Sequence, residues 1–209
     1  MNIAILGAGT GGLTAALALH QAGFNVEVYE RHKAHNERGA GIVLWPNANF
    51  VLSKLGLIGQ VAQVSGQIKA MKRLSHMGEK LGTVEVTKLN ALMKFPSYSI
   101  LRKDLQDILA SRVTELGITV NFQHRVTQIT ENPENKAIVI FENGNQITPD
   151  IVIGFDGRMN SISRLYVNND NTPVYQSFIN WVGIFKGDNK LKRDSSLYLR
   201  EPEYNDTKL

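Results

Sequence analysis

The sequence predicts an α/β fold, a Rossmann-like βαβ domain with inserted antiparallel β strands. A short apolar strand, Ile3-Ala4-Ile5-Leu6, breaks directly into Gly7-Ala8-Gly9-Thr10-Gly11-Gly12. A helix-like stretch, Leu13 to Ala22, follows, and Gly23 separates it from a second strand, Val26-Glu27-Val28-Tyr29-Glu30, that ends in an acid. Between these and a later apolar strand at Ile151-Val152-Ile153 the hydrophobic rhythm turns to short extended segments, as inserted antiparallel strands require.

The opening unit has a physical reason at each position. Glycines fall at the first, third and sixth places of G-x-G-x-x-G. Gly7 takes the backbone angles of a tight strand-to-helix turn. Gly9, lacking a side chain, lets a pyrophosphate approach the main chain, and Gly12 allows the helix to pack closely on the strand. The helix N-terminus offers unpaired N–H groups and partial positive charge to that pyrophosphate. Glu30, at the end of the second strand, is placed to accept both ribose hydroxyls of an adenosine. Strand, turn, helix, strand and acid in this order predict dinucleotide binding, against the blander reading of a glycine-rich turn in an ordinary α/β domain.

The first helix is apolar nearly all round, as for a helix buried against a sheet. A polar loop, 31–38, leads to a second glycine-rich turn, Gly39-Ala40-Gly41, and a short strand, Ile42-Val43-Leu44. Pro46-Asn47-Ala48 opens a helix running to about Leu55 and stopped by Gly56. Met71 to Leu74 and Gly82 to Val86 read as extended segments joined by a turn at His76-Met77-Gly78-Glu79, an antiparallel excursion from the main sheet. Leu101, Leu105, Ile108, Leu109, Val113 and Leu116 then form one helical stripe ended by Gly117. Thr119 to Phe122 returns to strand. Val126 to Thr130, Ala137 to Phe141 and Gln146 to Thr148 suggest a small meander with a turn at Asn143-Gly144. Ile151 to Ile153 reads as a strand buried on both faces. Further strands are expected over 174–186 and 196–200.

Composition bounds the function without naming it. The chain has 209 residues, 43% hydrophobic and 20% charged, with a net charge of +4. No dense basic block argues for nucleic acid; the nearest is Lys190-Leu191-Lys192-Arg193, and a mildly basic surface suits anionic cofactors better. With no cysteine, disulfides, thiolate zinc sites and cysteine nucleophiles are excluded. Met1 to Ala22 lacks Asp, Glu, Lys and Arg, yet it has no basic start of a secretory signal, and its glycines argue against a membrane span. A soluble cytoplasmic protein is expected.

Taken together, the motifs resemble the FAD-dependent aromatic hydroxylases, the flavoprotein monooxygenases with the p-hydroxybenzoate hydroxylase fold. The residues that carry the resemblance are Gly7-x-Gly9-x-x-Gly12 with Glu30-Arg31, then Gly39-Ala40-Gly41-Ile42 before Pro46-Asn47-Ala48, then Arg102-x-x-Leu105, then Asp150-x-Val152-Ile153-Gly154-x-Asp156-Gly157 with Ser161-x-x-Arg164. It covers residues 1 to about 165 well and the remainder loosely.

The resemblance implies an FAD site with NAD(P)H as co-substrate, dioxygen as oxidant and a small organic, often aromatic, substrate. It places Gly7, Ala8, Gly9, Thr10, Gly11 and Gly12 at the FAD pyrophosphate, Glu30 on the adenosine ribose and Arg31 near the adenine. Gly41 falls in the loop on the flavin side, and Arg102 matches an arginine that reaches the FAD. Asp156 and Gly157 match a motif linked to FAD and NAD(P)H. It divides the chain into an FAD-binding domain, 1–66 and 102–165, and a partial substrate-domain sheet, 67–101 and 166–209. The flavin carries the chemistry, so no catalytic side chain is assigned.

The chain departs from the family in having Phe155 where a small residue is usual, and in lacking the later Gly-Asp motif. Gly187-Asp188 continues as Asn189-Lys190, out of context. The chain therefore reads as the N-terminal part of such an enzyme.

Competing readings are an FAD-dependent reductase, a non-catalytic dinucleotide-binding remnant and a plain NAD dehydrogenase. The second glycine turn and Asp156-Gly157 fit the FAD family better than the last. A flavin halogenase is disfavoured, since neither Trp45 nor Trp181 begins a Trp-x-Trp run. No metal site is expected: His32 and His35 read as solvated loop residues, because two ligands do not close a site. His20 is a packing or surface residue. Trp45 and Trp181 line a pocket or pack in a core, and Arg38 is a loop charge or a cofactor contact. No Gly-x-Ser-x-Gly elbow or Walker-type lysine is present, which removes acyl transfer and nucleotide triphosphate hydrolysis.

Overall fold

The computed structural model describes residues 1–34 and 40–175, and the backbone of 196–200. The chain begins β1 (Asn2–Leu6), α1 (Thr10–Gln21) and β2 (Asn25–Tyr29). It continues β3 (Gly41–Leu44), α2 (Pro46–Lys54), α3 (Ile58–Val64), β4 (Gly66–Gln67), β5 (Ala70–Leu74), β6 (Lys80–Glu85), α4 (Val86–Met93) and β7 (Tyr98–Leu101). Then come α5 (Arg102–Glu115), β8 (Thr119–Asn121), β9 (Val126–Glu131), β10 (Ala137–Phe141), β11 (Gln146–Ile147), β12 (Ile151–Gly154), α6 (Ile162–Asn168) and β13 (Ser196–Arg200). Cα packing groups them into two compact units, Met1–Gly39 with Arg102–Val182, and Ala40–Leu101 with Gly183–Leu209.

The first unit is built on a parallel sheet of order β12-β1-β2-β8. Period-two alternation decides what each face meets. Ile5 pairs with Val28 in register, and Ile5 lies against α1 at Gly12. Leu13, Ala16 and Leu17 of α1 and Leu105, Leu109 and Val113 of α5 are buried, and the two helices pack together. On the opposite face Ala4, Leu6 and Tyr29 form one apolar cluster with Val139 and Phe141 of the antiparallel sheet β11-β10-β9. The central strand β1 is thus covered on both sides, which explains why four of its five residues are buried.

The expectation that 151–153 is buried on both faces is corrected. β12 is the outer strand of the described sheet and pairs with β1 alone. Ile151 is 39% exposed, and Val152 and Ile153 are only half-buried.

The second unit holds two three-stranded sheets, β3-β7-β4 and β13-β5-β6. β5 and β6 form the expected antiparallel excursion, closed by a turn in which Ser75 N–H donates to the Glu79 carbonyl. Pro46 opens α2 at its first turn, and Gly56, at φ +74°, follows its end. Two helices differ from the sequence reading. α3 has seven residues and buries only Val61, too short for a stripe to show. Val86, expected to end a strand, opens α4 instead. The strand expected over 174–186 falls mainly outside the described residues, as do Trp181, His35, Arg38, Gly39, Gly187-Asp188 and the basic run from Lys190. No helix among the described residues is long and apolar enough to cross a membrane.

Candidate functional site

The first unit opens a cleft at the carboxyl ends of β1, β2 and β12, where open parallel sheets bind ligands. At about 210 Å³ it falls below the roughly 300–1,000 Å³ of whole small-molecule sites.

The glycine turn forms the floor. Gly7 sits at φ +113°, and a Cβ there would lie 2.3 Å from the Phe155 carbonyl oxygen. Its N–H donates to the Tyr29 carbonyl at 2.8 Å, tying the turn to β2. A Cβ at Gly12 would come within 1.9 Å of the Gly7 carbonyl oxygen, so α1 rests directly on the turn. Gly9 is the exception: a Cβ there would meet nothing within 4 Å, and the residue faces the cleft. The N-cap of α1 is Gly9 and no side chain caps the helix. The N–H groups of the first turn, Thr10 to Gly12, thus have neither an i−4 carbonyl nor a capping side chain. Open space beside Gly9 and uncapped donors behind it fit an anion such as a diphosphate.

Glu30 stands beside this floor. Its Oε2 accepts the Ala8 N–H at 2.8 Å and its Oε1 accepts the His32 N–H at 2.9 Å. A carboxylate offers about four acceptor positions, so roughly half remain for hydroxyl donors. The residue is 9% exposed and held at both ends, its own N–H donating to Asn121 O and its carbonyl accepting from His124 N.

Arg31 and Arg102 line the cleft and give it cationic edges. Asp156 and Gly157 close another side. The Asp156 carboxylate turns toward the start of α6, accepting from Ser161 Oγ at 2.6 Å and from Ser163 N–H at 3.0 Å. Gly157 takes φ +97°, which lets the chain double back between β12 and α6. Gly41 belongs to the second unit, where it opens β3 opposite Leu101. Among the described residues no group of three His, Asp or Glu is placed to hold a metal ion.

Residues not singled out from the sequence complete the cleft. His124 packs edge-on against Tyr29 and Phe141, with ring centroids 5.6 and 5.0 Å apart. Gln106, buried on α5, donates from Nε2 to the Ala8 carbonyl at 2.6 Å. Nothing in the local sequence marks this pairing, since the two residues lie 98 positions apart. Phe155, noted only as unusual, lays its ring on α1: a Cβ at Gly11 would meet its Cδ1 at 2.8 Å.

Fold and cleft define a dinucleotide-binding domain of the Rossmann type, with an uncapped glycine turn and an acid beside it. The chain belongs to the FAD binding domain family, whose sequence profile matches residues 1–203. It is 31% identical over 197 residues to an FAD-dependent urate hydroxylase of Mycolicibacterium vanbaalenii, an alignment covering 91% of this chain and 48% of that protein. It is 28% identical over 194 residues to the aurachin C monooxygenase/isomerase of Stigmatella aurantiaca, covering 93% and 50%. Among solved structures it is similar to Klebsiella pneumoniae HpxO complexed with FAD and uric acid, with 28% identity and a TM-score of 0.68 over 79% of this chain and 41% of that one. The chain spans about half the length of the curated relatives it matches.

Proposed function

We propose that this chain is the cofactor-holding part of an FAD-dependent monooxygenase, a hydroxylase that consumes NAD(P)H and dioxygen and acts on a small aromatic substrate. The observation that carries the reading is the Glu30 carboxylate, fixed by the Ala8 and His32 N–H groups with acceptor capacity to spare, next to the open face of Gly9. The names of the relatives, hydroxylases and monooxygenases, support the reaction class. Use of NAD(P)H suits the cytoplasm, where that reductant is abundant.

In this reading Gly7 to Gly12 hold the diphosphate, Glu30 the adenosine ribose and Arg31 the adenine edge. Arg102 adds positive charge for the diphosphate, and Asp156 with Gly157 shapes the remaining wall. Gly41 serves the flavin side. The functional division runs 1–66 with 102–165 for the cofactor and 67–101 with 166–209 for the substrate, so 40–66 would serve the cofactor while packing in the second unit. When bound, FAD supplies the redox and oxygen chemistry. The residues of this chain bind it, orient it and exclude water.

The test is flavin retention and uptake. The protein is expected to co-elute with flavin absorbance, or to quench the fluorescence of added FAD at saturable stoichiometry. A folded protein that emerges colourless and takes up no FAD overturns the proposal.

A further inference from the structure

Residue 8 is gripped on both of its backbone groups. Its N–H donates to Glu30 and its carbonyl accepts from Gln106, a residue 98 positions away on α5. Gln106 is 6% exposed, so its amide would be costly to bury without partners. It shares a helix face with Arg102, four positions earlier, and both line the cleft. The Ala8–Gly9 peptide is trans and planar. Fixing the Ala8 carbonyl therefore fixes the Gly9 N–H, which points the opposite way, and with it the plane on which α1 begins.

We infer that Gln106 is a positioning residue for the diphosphate end of the cofactor site, holding the Ala8–Gly9 peptide in the orientation that presents the uncapped donors of α1. It need not touch the ligand. The inference rests on the cofactor reading above and adds a residue to it. A buried carbonyl that loses its donor seeks another partner or water. The turn then relaxes in the free protein, and binding must reverse that relaxation. The loss falls on ligands that carry a diphosphate and spares those that end at the ribose.

The experiment compares ADP, FAD and adenosine, measured by calorimetry on the wild-type protein and on Gln106→Leu and Gln106→Glu. Gln106→Leu is expected to weaken ADP and FAD about tenfold, equivalent to about 1.4 kcal/mol, while adenosine changes less than about twofold. Gln106→Glu sets a carboxylate against the Ala8 carbonyl at neutral pH. It is expected to bind ADP more weakly than Gln106→Leu there and to recover, relative to wild type at each pH, as acidification restores a donor. This second arm decides the matter if the leucine variant does not fold. Equal ADP affinity in wild type and Gln106→Leu, a proportional loss of adenosine, or no recovery of Gln106→Glu overturns the inference and leaves the cofactor reading standing. Failure of the wild-type protein to bind either ADP or FAD overturns both.

Discussion

Gly12 packs against Gly7 so closely that a methyl group at position 12 would lie 1.9 Å from the Gly7 carbonyl oxygen. The obstacle is backbone, and relief requires α1 to lift from β1. Gly12→Ala is therefore expected to lose stability near or above the upper end of the ~1–3 kcal/mol range for overpacking, read as a lower urea midpoint, with weaker FAD uptake. Gly59 is the contrast. It is exposed in α3 and a Cβ there meets nothing within 4 Å. Gly59→Ala should stabilise by about 0.5–1 kcal/mol through helix propensity. Equal and small effects at both positions would show that α1 does not seat on the turn as described.

Gly11 depends on Phe155. The atoms a Cβ would meet, at 2.8 and 3.0 Å, belong to the aromatic ring and to nothing else that close. Gly11→Ala is expected to destabilise the wild-type protein. In a Phe155→Ala background the same change should be neutral or stabilising, since alanine is then simply the better helix residue. A double-mutant cycle should return a coupling of about 0.5–3 kcal/mol. Additive effects would place the ring elsewhere.

Glu30 supports the turn and, in our reading, holds the ribose, and these roles separate by ligand. Glu30→Gln replaces one acceptor oxygen with a donor that faces either the Ala8 or the His32 N–H. The expected cost is about 1–3 kcal/mol of stability from the unsatisfied group. Wild-type protein should prefer adenosine to 2′-deoxyadenosine, and Glu30→Gln should narrow that preference. A wild-type protein indifferent to the hydroxyl would remove Glu30 from the sugar.

The parts of the site that were legible in the sequence are those whose causes are local. Gly7, Gly9 and Gly12 differ in what a side chain would meet, and their spacing announces each requirement before any fold is known. Glu30 followed because a strand end after a crossover helix comes back beside the turn. Gln106 was not legible: its partner is a backbone carbonyl 98 residues away, and no local pattern encodes that meeting. β12 departs from its expectation for a related reason: an apolar run specifies a strand but not which strands flank it. The short helices α3 and α4 escaped because seven or eight residues make at most about two turns. Asp156 is marked by its motif, but its bonds to Ser161 and Ser163 depend on how the chain doubles back at Gly157.

Tyr29 ties the cleft to the core and makes alkaline stability informative. Its ring stacks on Phe141 with centroids 5.1 Å apart, and its hydroxyl donates to Glu27 Oε2 at 2.7 Å. Burial first, then the hydrogen bond and charge of Glu27, push the phenol well above its ordinary pKa of 10.0. A raised value in the folded state means that the native protein keeps this proton after the unfolded chain has begun to lose it. The contribution to stability is whole below the unfolded pKa, and it is lost as pH climbs from there toward the folded value. Denaturant unfolding between about pH 9 and 11 should therefore show stability falling, and Tyr29→Phe should fall less steeply because it removes the proton that couples folding to pH. If the two proteins lose stability in parallel across that interval, Tyr29 is not the coupled group.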